Sequence, residues 1–270
     1  MRHQMNEYSI HGGKKGNDRL AILSQTVGVT TGEFLDQYAS SFLGNCLDLG
    51  CGGGNVTLEI AKRVQHSGRV TGLDIDPVNV ALARKAAHDQ QVGNVQFDRF
   101  NAYDLADADK YQVVYSRFLL SHLNKPAQVL TNIFKGLVPG GRLLLEDTDF
   151  SGHFCFPRCP AFSSYVHLYQ KLLYTRGADA NIGRRLYELL YHAGFQDISV
   201  QVVQPVHTAG KGKLMAEITL EGISNALLQE GLTCREVIQQ TIQELKAFRA
   251  NKNTLMSLPR IFQVSAVKPL

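Results

Sequence analysis

The stretch Asn45-Cys-Leu-Asp-Leu-Gly-Cys-Gly-Gly-Gly54 decides how this 270-residue chain is read. An apolar run enters Gly50-x-Gly52-x-Gly54, and only glycine lets a backbone come within touching distance of a ligand. Asp48 stands just ahead of the glycines. Beyond them, Asp74 closes the next apolar run, Arg69-Val-Thr-Gly-Leu-Asp74, at the distance where an acid meets ribose hydroxyls in nucleotide-binding strand-helix-strand units. A nucleoside ligand follows from that pairing. The dinucleotide fingerprint G-x-G-x-x-G needs glycine where Asn55 stands, and no G-x-x-x-x-G-K-[ST] occurs, so neither standard phosphate grip is present.

Outward from this stretch, strand-like runs alternate with helix-like ones, the order that gives a parallel sheet covered by helices. Cys46 to Gly50 reads as the first strand, and Val56, Ile60 and Val64 share one face of the helix after it. The second strand ends at Asp74, and Asp76-Pro77 opens a helix toward Ala87 as an N-cap followed by proline. Val95 to Asn101 and Tyr111 to Ser116 read as strands three and four. A helix from Pro126 buries Val129, Leu130, Ile133, Phe134 and Leu137, stops at Pro139-Gly-Gly141, and precedes strand five, Arg142 to Glu146. Farther on, the pattern predicts a helix over Asn181 to Phe195, a strand over Ile198 to Val203 and a final strand over Ile261 to Val267. The capping box Thr233-Cys-Arg-Glu236 introduces a helix with Val237, Ile238, Ile242, Leu245 and Phe248 on one side.

The chain resembles the class I S-adenosylmethionine-dependent methyltransferases, of the UbiE-like, small-molecule type. Their first motif, acid-x-G-x-G-x-G, is matched by Asp48-Leu-Gly50-Cys-Gly52-Gly-Gly54. Val113-Val-Tyr-Ser-Arg-Phe-Leu-Leu-Ser-His122 and Val138-Pro-Gly-Gly-Arg142 are similar to the family's fourth motif and to its turn before strand five. The resemblance is close over residues 5 to 150 and loose beyond. It implies an α/β fold, a Rossmann-like seven-stranded sheet of order 3-2-1-4-5-7-6 with strand seven antiparallel and helical insertions, and S-adenosyl-L-methionine as cofactor.

Open sheets bind ligands beyond the carboxyl ends of their strands, so one pocket is expected to gather Gly50, Cys51, Gly52, Asp74, Asn101, Ser116 and Arg117. The glycine turn would meet the methionine part, Asp74 the ribose, and Ile75 with Ala102 the adenine, with Asp48 also among the cofactor-binding residues. The family usually has Asp where Asn101 stands, and the Asn101 amide oxygen can accept the same hydrogen bond. Tyr8, in an N-terminal lid, could cover the cofactor, and Arg19 could pair with its methionine carboxylate. Methyl transfer from a sulfonium is an in-line displacement that needs a base only if the acceptor must lose a proton. His122 and Glu146 are the candidates. No metal is expected, because Ser116 stands where a catechol-type metal site would want a carboxylate and His153, Cys155, Cys159 and His167 lack paired ligand spacing.

The expected organisation is one structural domain: an N-terminal lid and leader over 1–44, a cofactor-binding core over 45–150, an aromatic-rich acceptor cap over 151–180, and a C-terminal half of the sheet over 181–270 with a helical insertion at 211–253. With 44% hydrophobic and 19% charged residues the chain can bury an ordinary core. No apolar run is long enough to span a bilayer and no signal core follows Met1, so a cytoplasmic protein without membrane partners is expected. A net charge of +4 without Lys/Arg blocks gives no expectation of nucleic acid as a partner. The expected partner is a small apolar or aromatic acceptor, bound by a monomer or homodimer. The alternatives are an RNA or protein methyltransferase and a non-catalytic S-adenosylmethionine-binding module. Strand four lacks the Asn/Asp-Pro-Pro-aromatic run of enzymes that act on exocyclic base nitrogens.

Overall fold

A computed structural model of the chain describes residues 13–64 and 68–270. The chain runs α1 (Gly13–Gln37), β1 (Cys46–Leu49), α2 (Asn55–Arg63), β2 (Val70–Asp74), α3 (Pro77–Asp89), β3 (Val95–Arg99), β4 (Tyr111–Arg117), α4 (Pro126–Gly136) and β5 (Leu137–Asp149). Then follow β6 (Cys155–Phe156), α5 (Pro160–Thr175), α6 (Leu186–His192), β7 (Gln196–Val203), β8 (Val206–His207), α7 (Met215–Gln229), α8 (Arg235–Ala250), β9 (Leu255–Ser257) and β10 (Arg260–Val267).

Seven strands form one sheet in the order β3-β2-β1-β4-β5-β10-β7. β10 is antiparallel to both its neighbours, and the other strand pairs from β3 to β5 are parallel. Counted within this sheet, β7 and β10 are the sixth and seventh strands, so the expected order 3-2-1-4-5-7-6 is realised. The winding reverses between β1 and β4, and that switch leaves a crevice beyond their carboxyl ends.

Why the central strands read as unbroken apolar runs is clear from their two faces. Leu47, Leu49, Val114, Leu143 and Leu145 pack with Val129, Leu130 and Ile133 of α4 and Leu186 and Leu190 of α6. The alternate residues, Cys46, Val113, Tyr115 and Leu144, pack with Phe34 and Leu35 of α1 and Val56 and Ile60 of α2. Both sides of the sheet are covered, so neither carries a polar alternation. A separate core joins α5, α7 and α8 through Leu172, Leu173, Leu220, Ile223, Ile238 and Leu245. No helix among the described residues is long and apolar enough to cross a membrane.

Several boundaries differ from the sequence reading. Strand five begins at Leu137, because Pro139-Gly-Gly141 lies inside an extended segment and α4 has already ended at Gly136. The segment after Asn181 is divided into a 3-10 turn, Ile182–Arg185, and the short α6. The Thr233 capping box does not form: Cys234 holds the cap position of α8 without a side-chain hydrogen bond, and Val237 is exposed. The Asp76 cap does form, its carboxylate accepting from the Val78 N–H at 2.8 Å. A small sheet, β6-β9-β8, was not anticipated from strands of two or three residues.

Candidate functional site

The turn after β1 is built from left-handed backbone, with φ of +80° at Gly50, +53° at Gly52 and +80° at Gly54. These three glycines have different work. A Cβ on Gly54 would lie 2.8 Å from Ala83 and 3.0 Å from Phe97, so this position lets the turn pack onto α3 and β3. Gly50 and Gly52 instead line a cavity over the strand ends. The Asp74 carboxylate ties the turn to the end of β2. Its Oδ2 accepts from the Gly52 N–H and its Oδ1 from the Asp76 N–H, both at 2.9 Å, with Asn79 Nδ2 at 3.3 Å from Oδ1. Each carboxylate oxygen has about two acceptor sites, so Oδ2 of this cavity-lining residue keeps acceptor capacity. Burial holds the Asp74 carboxyl above its usual range.

Asp48 also lines the cavity and accepts from Thr57 Oγ1 at 2.6 Å. Burial pushes its carboxyl up to about 6, against the lowering effects of Thr57 and the Arg117 guanidinium. The Cys51 thiol is pushed far above its usual range, first by burial and then by Asp48 and Asp74, so it is un-ionised and unreactive. Asn101 lies just past β3, where its Oδ1 accepts from the Tyr103 N–H at 3.2 Å and caps a short 3-10 turn, Ala102–Asp104. Ala102 and Ile75 complete this wall, and Ile75 is 44% exposed, an apolar side chain uncovered at a cavity edge.

The cavity measures about 1350 Å³, more than the roughly 300–1,000 Å³ of a site for one small ligand. Its second part is lined from α5, α7 and the loop after β5. Phe150 stacks on Tyr169 with ring centres 3.9 Å apart and meets Tyr165 and His153 edge-on at 5.6 and 4.3 Å. Met215 and Thr219 line the same part. Arg117, Phe118, Leu119 and His122 line the same cavity. Phe118 has φ +54°, an unusual conformation for a bulky residue, of the kind that costs about 1–3 kcal/mol and clusters at functional sites. Its ring is held among Val27, Met215, Leu258 and Ile261.

Arg19, Asp48, Gly50, Cys51, Gly52 and Asp74 of the sequence reading therefore line one cavity, with Ile75, Asn101, Ala102, Arg117 and His122. Tyr8 lies outside the described residues. Two expectations are corrected. Ser116 is not part of the lining: it is buried, and its hydroxyl donates to the Leu49 carbonyl at 2.7 Å, a bond between β4 and β1. Glu146 is buried outside the cavity and accepts from Thr31 Oγ1 (2.8 Å), Tyr115 Oη (2.5 Å) and Gln263 Nε2 (2.8 Å). Arg117 donates to the same Thr31 hydroxyl at 2.9 Å, so Glu146 is tied through Thr31 to a residue of the cavity lining. His122 is at the cavity, but desolvation, then the Arg19 and Arg176 charges, push its imidazole down to about 3. At neutral pH it is an uncharged hydrogen-bonding group and a poor match for a base poised near 7. Phe118, Thr57 and the Thr31–Glu146 link were missed, since a strained backbone and bonds between distant elements leave no local sequence signal.

Residues 43–194 match the model of a family described as a methyltransferase domain. A demethylmenaquinone methyltransferase from Lactiplantibacillus plantarum is 32% identical over 57% of this chain and 71% of its own length. The ubiquinone/menaquinone biosynthesis C-methyltransferase UbiE of Vibrio campbellii is 32% identical, over 53% of this chain and 55% of its own. Among solved structures, the YcgJ protein of Bacillus subtilis superposes with a TM-score of 0.59 at 17% identity, over 88% of this chain and 99% of that one.

Proposed function

The chain belongs to the methyltransferase-domain family as a class I S-adenosylmethionine-dependent enzyme, and from that premise we propose that it methylates a small apolar or aromatic acceptor seated against Phe150, Tyr165 and Tyr169. One observation carries the reading: a single cavity joins the Gly50–Asp74 end, shaped for a nucleoside, to a wall of aromatic rings with room for a second molecule. Relatives named for quinone substrates support an acceptor of that general kind.

The residues present fit the cofactor. Asp74 has acceptor capacity left for ribose hydroxyls, Ile75 and Ala102 offer apolar contact for a base, and Asp48 beside the open glycine turn suits a cationic amino group. Bound there, S-adenosylmethionine supplies an electrophilic methyl on a sulfonium. The chain's own part is placement and exclusion of water, which account for much of the rate in bimolecular displacements. Leu119, beside Gly50, and Phe118 line the cavity, and the rings of Phe150 and Tyr169 would hold the acceptor's apolar body.

Asp74→Ala is expected to weaken S-adenosylhomocysteine binding by tenfold or more, since hydrogen bonds to a charged group contribute about 1.5–3 kcal/mol each. Titration calorimetry measures it. An unchanged affinity would remove Asp74, and with it the nucleoside reading of this end.

A further inference from the structure

The small sheet β6-β9-β8 has two unlike faces. Its register sets Cys155 and His207 beside Met256, while Phe156 stands opposite Leu255 and Val206 opposite Ser257. Met256 is buried in the core of α5, α7 and α8, so the alternate residues belong to the other face. That face is apolar and uncovered. Phe156 is 67% exposed, Val206 45% and Phe154 44%. Phe154 extends the same row, for its N–H donates to the Ser257 hydroxyl and its carbonyl accepts from the Ser257 N–H.

Cations gather at one end of this sheet. Arg158 follows Phe156 by two residues, Lys252 precedes Leu255, the partner of Phe156, by three, and Lys211 lies two residues before Lys213, whose ammonium donates to the carbonyls of Asn251 and Thr254. Arg158, Lys211 and Lys252 are all exposed. Among the described residues no carboxylate lies within ion-pair distance of any of them, and Lys211 donates to the neutral Gln25 amide oxygen. The segments 152–159, 204–214 and 250–260 that build this corner contain no Asp or Glu. Their other basic residues are engaged, Arg260 with Asp149 at 2.8 Å and Lys213 with the carbonyls named above. The opposite end of the sheet runs into the cavity, whose lining includes Phe150 and His153 before β6 and Leu258 and Pro259 after β9.

Exposed rings beside unpaired cations suit a bilayer surface, where rings enter the acyl boundary and Lys or Arg meets anionic headgroups. A second copy of the chain suits this face less, because a twofold contact would set the cations against their own copies. We propose that this corner docks on an anionic lipid bilayer, with Phe154 and Phe156 in the acyl boundary and Arg158, Lys211 and Lys252 at the headgroups. Surface attachment needs no spanning helix, and it replaces the expectation of no membrane partner. Its use in the reaction rests on the methyltransferase reading: an apolar acceptor held in the bilayer is brought close to the cavity that methylates it.

The test is co-sedimentation of the cofactor-free protein with vesicles of phosphatidylcholine alone and of phosphatidylcholine with phosphatidylglycerol in equal amounts. The mixed vesicles should bind at least tenfold more tightly, and raising salt from about 0.1 M to about 1 M, which cuts the Debye length from about 10 to about 3 Å, should remove most of that difference. The double variant Phe154→Ser, Phe156→Ser and the triple variant Arg158→Gln, Lys211→Gln, Lys252→Gln should each lose tenfold or more in vesicle binding, with S-adenosylhomocysteine affinity changed less than twofold. The proposal is overturned if the wild-type protein does not bind the mixed vesicles, or if either variant binds them as the wild type does. It is also overturned if light scattering shows a wild-type dimer that the Phe→Ser variant splits, which would give the face to a second copy. Absence of S-adenosylhomocysteine binding by the wild-type protein would overturn the methyltransferase reading alone, since vesicle binding is measured without it.

Discussion

Gly52→Val is expected to lower S-adenosylmethionine affinity at least a hundredfold while leaving the chain folded. Two effects act together. Gly52 has φ +53°, where a β-branched residue is strained, and its N–H donates to Asp74 Oδ2, so any relaxation of the strain also loosens the carboxylate placed for the ribose. The added side chain also stands on the cavity wall, in space the ligand needs. Strain at one such position costs about 1–3 kcal/mol, and for a chain of this size each kcal/mol lowers Tm by roughly 2–4 °C. Calorimetry with S-adenosylhomocysteine and a thermal melt separate the two effects. Normal affinity at an unchanged Tm would mean that the turn is not where the cofactor sits.

Glu146→Ala should produce the other large effect, and on stability. The substitution leaves Thr31, Tyr115 and Gln263 donating into a buried space with no acceptor. At about 1–3 kcal/mol for each buried polar group left unsatisfied, the loss is on the order of 3–6 kcal/mol. Glu146→Gln keeps the volume and one acceptor oxygen, so it should lose less than half as much, as read from urea denaturation midpoints. Cofactor affinity should fall only modestly, through the Arg117–Thr31 link. A catalytic base predicts the opposite: an unchanged midpoint and a turnover lowered about a hundredfold or more in Glu146→Gln.

The contrast between Glu146 and Asp74 shows what could be read from the chain alone. Asp74 was legible because the glycine turn before it and the Asp76-Pro77 cap after it are local signals that place the end of β2. Glu146, Ser116 and Arg117 sit in β4 and β5, strands apolar enough on both faces that no alternation tells which residue points where. The paired register brings Arg117 beside Glu146, while the Ser116 hydroxyl turns to Leu49. The sheet order came from resemblance, since periodicity gives strands without their neighbours. Arg19 was legible as a cavity residue, although a residue on a leader helix acquires its neighbours only when α1 packs against α7. Phe118 had no signal: nothing in Arg117-Phe-Leu119 announces a positive φ at a phenylalanine.

Hydrogen–deuterium exchange with and without S-adenosylhomocysteine tests most directly that one cavity has a cofactor end and an acceptor end. Binding should slow exchange at Leu49 to Gly54, at Asp74 to Asp76 and at Asn101 to Tyr103, while the amides of α5 and α7 facing the aromatic part change little. Protection confined to α5 and α7, with the glycine turn unaffected, would contradict the account.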